Sequence, residues 1–212
     1  MSIIVTLGRD EATREVNRLH SQLASPDQQR ALMKNLGVRA EQELRGWWMR
    51  RDAETPNKMG WPRQHFWARI AKRTAFDPSK TTERSATVVV ADPALAAKVN
   101  GATIRPAAGS VNPETGKPVR NLAIPMNAEA YGVLPRSGLI AGLFFIRTAH
   151  GAFLVRRDGP AGKSANLTFF YRLVPSVTVP KDPQALPPAA QLGAALVETA
   201  QDWFRARNGG QN

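Results

Sequence analysis

A chain of 212 residues with 42% hydrophobic side chains and a formal charge of +12 can bury about 70% of its unfolded surface in a single domain, which argues against wholesale disorder. Zero cysteine excludes a disulfide framework, a cysteine-ligated zinc or iron–sulfur site and a thiol nucleophile. The start, MSIIVTLGRDEATREV, has too short an apolar run for a signal peptide, and no run approaches the ~20 residues of a membrane helix, so a soluble protein of a reducing compartment is expected.

Ile3 to Leu7 reads as a short strand, and Glu11 to Leu23 as a polar helix with Val16, Leu19 and Leu23 on one face. Ser25-Pro26-Asp27 is a break and a helix start, since proline is tolerated in a first turn. In the helix that follows, Leu32, Leu36, Ala40, Leu44 and Trp48 fall four apart, and Trp47 widens the stripe. Glu41 and Arg45 form an i,i+4 pair on the solvent side. Gly37 and Gly46 weaken this helix by about 1 kcal/mol each against alanine. After the polar loop from Arg50 to Gly60, Trp61-Pro62 opens a third helix with Phe66 and Ile70 facing one way, and Asp77-Pro78-Ser79 ends an all-helical third. Trp47, Trp48, Trp61 and Trp67 are read as core or subunit contacts.

Past Ser85 the period changes to two and β-branched residues gather. Thr87 to Ala91 is a strand; Thr103 to Arg105 and Leu122 to Ile124 are short strands, each followed by a proline that ends its ladder. Between them, Ala107 to Pro118 is glycine- and proline-rich turn chemistry, a long flexible hairpin. Leu143 to Arg147, Ala152 to Arg156 and Leu167 to Val174 form an antiparallel meander turned at His150-Gly151 and Asp158-Gly159, and Val177 to Val179 adds an edge strand. Lys181 to Pro188 is a proline-rich link to a last helix, Ala189 to Ala206, whose apolar face carries Leu192, Leu196, Ala200, Trp203 and Phe204. The expectation is an α+β fold: N-terminal helices over 1–83, a small antiparallel sheet or partial barrel over 84–180, and a link and closing C-terminal helix over 181–212, together one globular domain.

Residues 84–181 carry 12 Lys/Arg against 4 Asp/Glu, a net +8 that accounts for most of the +12. Such a field suits a polyanion or an acidic protein surface as neighbour, and serves solubility equally well. Catalytic chemistry finds little support. Gly159-Pro160-Ala161-Gly162-Lys163-Ser164 resembles a phosphate-binding loop, but Arg157 stands where that motif needs its first glycine, and a strand rather than a helix follows. His20, His65 and His150 lie in separate elements without metal-ligand spacing, and the acids of the sheet region, Asp92, Glu114, Glu129 and Asp158, make no spaced pair. No catalytic residue, metal or cofactor is therefore expected, and no enzyme. Arg147, Arg156, Arg157, Lys163 and Arg172 gather about the meander beside Phe144, Phe153, Phe169 and Tyr171. Such a set can face DNA by stacking and phosphate contact, or can be a core face backed by a solvated one.

Two pairs of segments resemble a known family. Gly101-Ala102-Thr103-Ile104-Arg105-Pro106 with Asn121-Leu122-Ala123-Ile124-Pro125-Met126 is similar to a "GGTIRP … LAIP" passage, with Asn100 in place of the first glycine. Phe153-Leu154-Val155-Arg156-Arg157, then Tyr171 to Pro180, is similar to the ending that follows it; Pro183 to Pro188 replaces the usual terminal motif. These, with the helical start that leads to Gly60-Trp61-Pro62, resemble the virion morphogenesis or tail-completion proteins of Mu-like tailed bacteriophages. The resemblance implies a structural component at the head–tail neck or tail end, assembled as a ring of identical copies, touching neck or tail-tube proteins and, through phosphate contacts, passing DNA, without a membrane. It implies localisation to the virion, and to the host cytoplasm during assembly. Copy-to-copy contacts are expected at Thr103, Ile104, Arg105, Pro106, Ile124, Pro125, Trp203 and Phe204. The alternative is a free nucleic-acid-binding protein that uses the basic aromatic sheet.

Overall fold

The computed structural model describes residues 3–5, 25–57, 59–62, 64–112, 116–159 and 166–208. The expected helix from Glu11 to Leu23, His20 and Lys163 lie outside the described residues. The fold is α+β, with helices and small antiparallel sheets, none closed into a barrel. Among the described residues no helix is long and apolar enough to cross a membrane. By its contacts the chain divides into two compact units. One takes the described residues of Met1–Thr55, His65–Asn100 and Lys181–Asn212; the other takes Pro56–Gln64 and Gly101–Pro180.

The first unit is built on α1 (Pro26–Glu54). Ser25 caps it in an extended conformation and accepts from the Gln28 amide at 3.3 Å, with Pro26 in the first turn and Asp27 near the positive end of the dipole. The four-residue stripe is buried throughout, at Leu32, Leu36, Ala40, Leu44 and Trp48. Two short helices follow, α2 (Phe66–Lys72) and α3 (Pro93–Asn100). The first part of the chain is not all helical. After α2 the chain turns into β2 (Thr74–Asp77), which pairs with β3 (Thr87–Val90), and β1 (Ile3–Val5) pairs on the other side of β3. Phe76 is the reason α1 carries Gly37: a Cβ on that glycine would run into the Phe76 ring. Glu41 serves two partners, accepting from Arg45 at 2.9 Å and from the Phe76 amide at 3.0 Å. The last helix, α4 (Ala189–Asn208), lays Leu192, Leu196 and Ala200 into the α1 core.

The link before α4 is pinned rather than free. Trp48 Nε1 donates to the Ala185 carbonyl at 2.9 Å and Trp47 Nε1 to that of Gln184 at 3.1 Å. Arg51 donates to Gln184 and Asp182 and stacks over Trp67, 4.1 Å from its ring centre.

Among the described residues the second unit holds two sheets. β4 (Ala102–Ile104) and β9 (Val177–Val179) make a two-stranded ribbon, so Val177 to Val179 does not extend the meander. β5 (Leu122–Pro125), β8 (Asn166–Val174), β7 (Gly151–Asp158) and β6 (Phe144–Thr148) make a four-stranded sheet in that order. Pro125 does not end its ladder. It lies inside the edge strand β5, where a missing donor can face away from the sheet, and the next amide, Met126, still donates to Phe170 at 2.8 Å. The excursion from 107 to 118 is a hairpin, closed by the Val111–Pro118 bridge and by Asn112 N to Lys117 O at 2.8 Å.

Candidate functional site

Cross-strand partners point to one face of a sheet, and that rule divides the arginines of the meander. On one face of the four-stranded sheet Arg157 pairs with Leu167; Phe144, Val155 and Phe169 form the next row; Ile146, Phe153, Arg172 and Ile124 form the third. Arg147 lies on the opposite face with Ala152, Leu173 and Ala123, and Arg156 lies there with Thr168. A register shift between Leu154 and Val155 inserts Phe170 beside Tyr171, so both rings turn to that second face.

The second face is filled. Phe170 and Tyr171 pack with Ala130 and Ile140, and the Tyr171 hydroxyl donates to the Val133 carbonyl at 2.9 Å. Burial pushes the Tyr171 phenol above its ordinary range. Arg156 is fully engaged there. It stands 4.7 Å over the Phe170 ring and donates to Asp158 and Glu129 at 3.0 Å each. The Thr168 hydroxyl and then Arg156 hold the Asp158 carboxyl below its ordinary value. Arg156 is therefore a structural cation with no charge to spare for a ligand.

The first face is open. Phe144, Phe169, Leu167 and Ile124 are each left more than a third exposed. Phe153 and Val155 are buried on this face yet belong to neither core cluster. Phe153 meets Phe169 edge to face at 5.1 Å between centroids. Arg157 and Arg172 are exposed and make no ion pair among the described residues. Beside this face an open depression of about 530 Å³ is lined by Ala141, Gly142, Phe144, Arg156 and Arg157. The glycine-rich segment that fails as a phosphate-binding loop lies between β7 and β8, which pair up to Asp158 opposite Asn166; Lys163 itself is outside the described residues.

The residues expected at copy-to-copy contacts fall into two groups. Thr103, Ile104 and Arg105 are exposed on and just after the ribbon, with Pro106 half-buried behind them. Ile124 is on the open sheet face and Pro125 on the filled one. Trp203 and Phe204 belong to the other unit. They meet edge to face at 5.3 Å, half-buried against the α1 core, with Arg207 4.0 Å over Trp203.

Two buried carboxylates in the first unit escape a reading by motif. Asp52 accepts from His65 Nδ1 at 2.7 Å and from the Ala68 amide at 3.1 Å, and so starts α2. His65 is held there in a left-handed conformation, φ 49°. Burial pushes the Asp52 carboxyl up, but the His65 bond and the Ala68 amide outweigh it, and the net shift is down. Asp92 receives Arg69 at 3.1 Å, Arg73 at 3.2 Å and the Ala94 amide at 2.9 Å, and so starts α3. The signals were present. Asp52 is the next four-residue step of the α1 stripe, and Asp92-Pro93 with Gly101 beyond brackets a helix. Both sites are helix caps with satisfied partners, and among the described residues no cluster of three or more His, Asp or Glu could hold a metal.

Comparison with family models, with curated proteins and with solved structures finds no match to the chain.

Proposed function

We propose that this chain is a structural component of a tailed-bacteriophage particle, at the head–tail neck or tail end, and that it works by joining copies of itself into a ring. The carrying observation is where apolar surface is left uncovered. Of the thirteen large hydrophobic residues exposed among the described residues, eleven lie in the second unit. They include Ile104 on the ribbon, 44% exposed, Val111 on the hairpin, 56%, and Leu134 and Leu139, at 75% and 77%. Exposed apolar groups gathered in one unit suit protein contacts better than solitary life in water. A two-stranded ribbon is marginal alone and gains from a third strand, and its backbone edges are open to one.

The resemblance adds the class of assembly. All four segments that carry it lie in the second unit, where β4 pairs with β9 and β5 with β8. In this reading the ribbon, with Thr103, Ile104 and Arg105, and the hairpin beyond it reach a neighbouring copy. Contacts of this head-to-tail kind close into a ring when the rotation between copies permits. The reading contains no catalytic step. Electron microscopy of the purified protein, alone and mixed with tail tubes or capsids, tests it. Rings seated at one end of a tube or at a capsid vertex are expected; a protein that binds neither and forms no rings contradicts it.

A further inference from the structure

We propose that the open face of the four-stranded sheet binds single-stranded nucleic acid, with bases stacked on Phe144 and Phe169 and phosphates held by Arg157 and Arg172. This goes beyond ring assembly and does not require it. The rows of the face set out the parts. Phe144 and Phe169 flank Val155 in the middle row, and each ring is more than a third exposed. Arg157 lies one row to one side and Arg172 one row to the other, so the two guanidinium groups bracket the aromatic row over roughly 14 Å of strand. The depression beside Phe144 and Arg157 leaves room for a planar ring at that end. Aromatic platforms between cations are the arrangement that holds a strand without reading its sequence.

Charge decides between this occupant and a second copy of the same unit. The sequence of the unit holds 11 Lys/Arg against 3 Asp/Glu, a net +8. Two of those acids, Glu129 and Asp158, are already bound to Arg156. An apposed copy would bring the same charge and no free carboxylate from these two, and would cover Arg157 and Arg172 unpaired at a desolvation cost. A polyanion satisfies them instead, releasing its own counterions. A duplex keeps its base faces hidden in the stack, so exposed phenylalanines discriminate in favour of single strands.

Fluorescence anisotropy of a labelled thymidine oligonucleotide with the full chain, between about 50 and 200 mM salt, tests the proposal. The single strand is expected to bind at least about tenfold more tightly than a duplex of the same length, and Phe144→Ala with Phe169→Ala to lose about tenfold or more. Arg157→Gln with Arg172→Gln, both exposed and safe for folding, is expected to weaken binding and flatten the salt slope by about 1.4. Arg147→Gln, on the opposite face, is expected to do much less. Equal affinity for duplex, or equal loss from Arg147→Gln and Arg172→Gln, overturns the proposal. So does a phenylalanine pair whose loss leaves binding intact but breaks self-association, which would give the face to a second copy. Sedimentation of the same samples without nucleic acid keeps the two readings apart, since ring assembly can fail while strand binding persists.

Discussion

At single positions, packing overrides propensity. Gly37 and Gly46 both cost α1 helical stability by sequence, yet their surroundings differ. Beside Gly37 the Phe76 ring fills the space a Cβ needs, while a Cβ at Gly46 would meet only the end of Arg50, at 3.4 Å. Gly46→Ala is expected to stabilise by about 1 kcal/mol and Gly37→Ala to destabilise by about 1–3 kcal/mol, read as opposite shifts of the urea midpoint. Asp52 gives a pH signature. Its carboxyl is held below the ordinary 3.8, so its contribution is present above that value and fades as pH falls through the lower folded value. Urea midpoints of the wild type and Asp52→Asn should differ at neutral pH and converge once the pH has fallen through the lowered folded value; a gap that is unchanged at every pH at which the protein stays folded contradicts the His65 and Ala68 bonding. No motif marks Asp52 or Phe76 for these tasks, because each acts on a residue distant in sequence.

Among elements, the long periodic ones and several short β-branched strands, such as Thr87–Val90 and Val177–Val179, are legible, while some short elements are not. The stripe from Leu32 to Trp48 and the meander strands declare themselves through sustained periods of about four and of two. The helix expected from Trp61-Pro62 starts only at Phe66, where Asp52 holds its first turn, and α3 and β2 are too short for a period to show, so tertiary partners decide them. α3 depends on its start: Asp92→Ala removes a cap and strands Arg69 and Arg73, and should cost about 2 kcal/mol. α4 docks on α1 within its own unit, its rings only half-buried at Trp203 and Phe204. Trp203→Ala is therefore expected to lower stability by about 2 kcal/mol, less than the 3–5 of a fully buried tryptophan, and Leu196→Ala by about 3. Thermal melts of the two variants rank them; a Trp203→Ala melt indistinguishable from wild type would mean the docked rings contribute nothing.

At the level of the whole molecule, the sequence marks where the charge lies but not how the arginines divide. The meander places five basic residues near four aromatics, and only the register shows that Arg147 and Arg156 turn to one face and Arg157 and Arg172 to the other. The shift at Leu154/Val155, invisible to alternation, sends Phe170 and Tyr171 inward together. The division into units was equally hidden, because the first unit draws on three separate stretches of chain and the second on two. In the proposed assembly the second unit joins copies through its ribbon and hairpin. Sedimentation velocity of the full chain beside Ile104→Asp tests it most directly, since that side chain is exposed and its change spares the core. The expected result is a discrete oligomer for the wild type and a monomer of unchanged melting temperature for Ile104→Asp. A wild type that stays monomeric at every concentration, or two proteins that sediment alike, would contradict it.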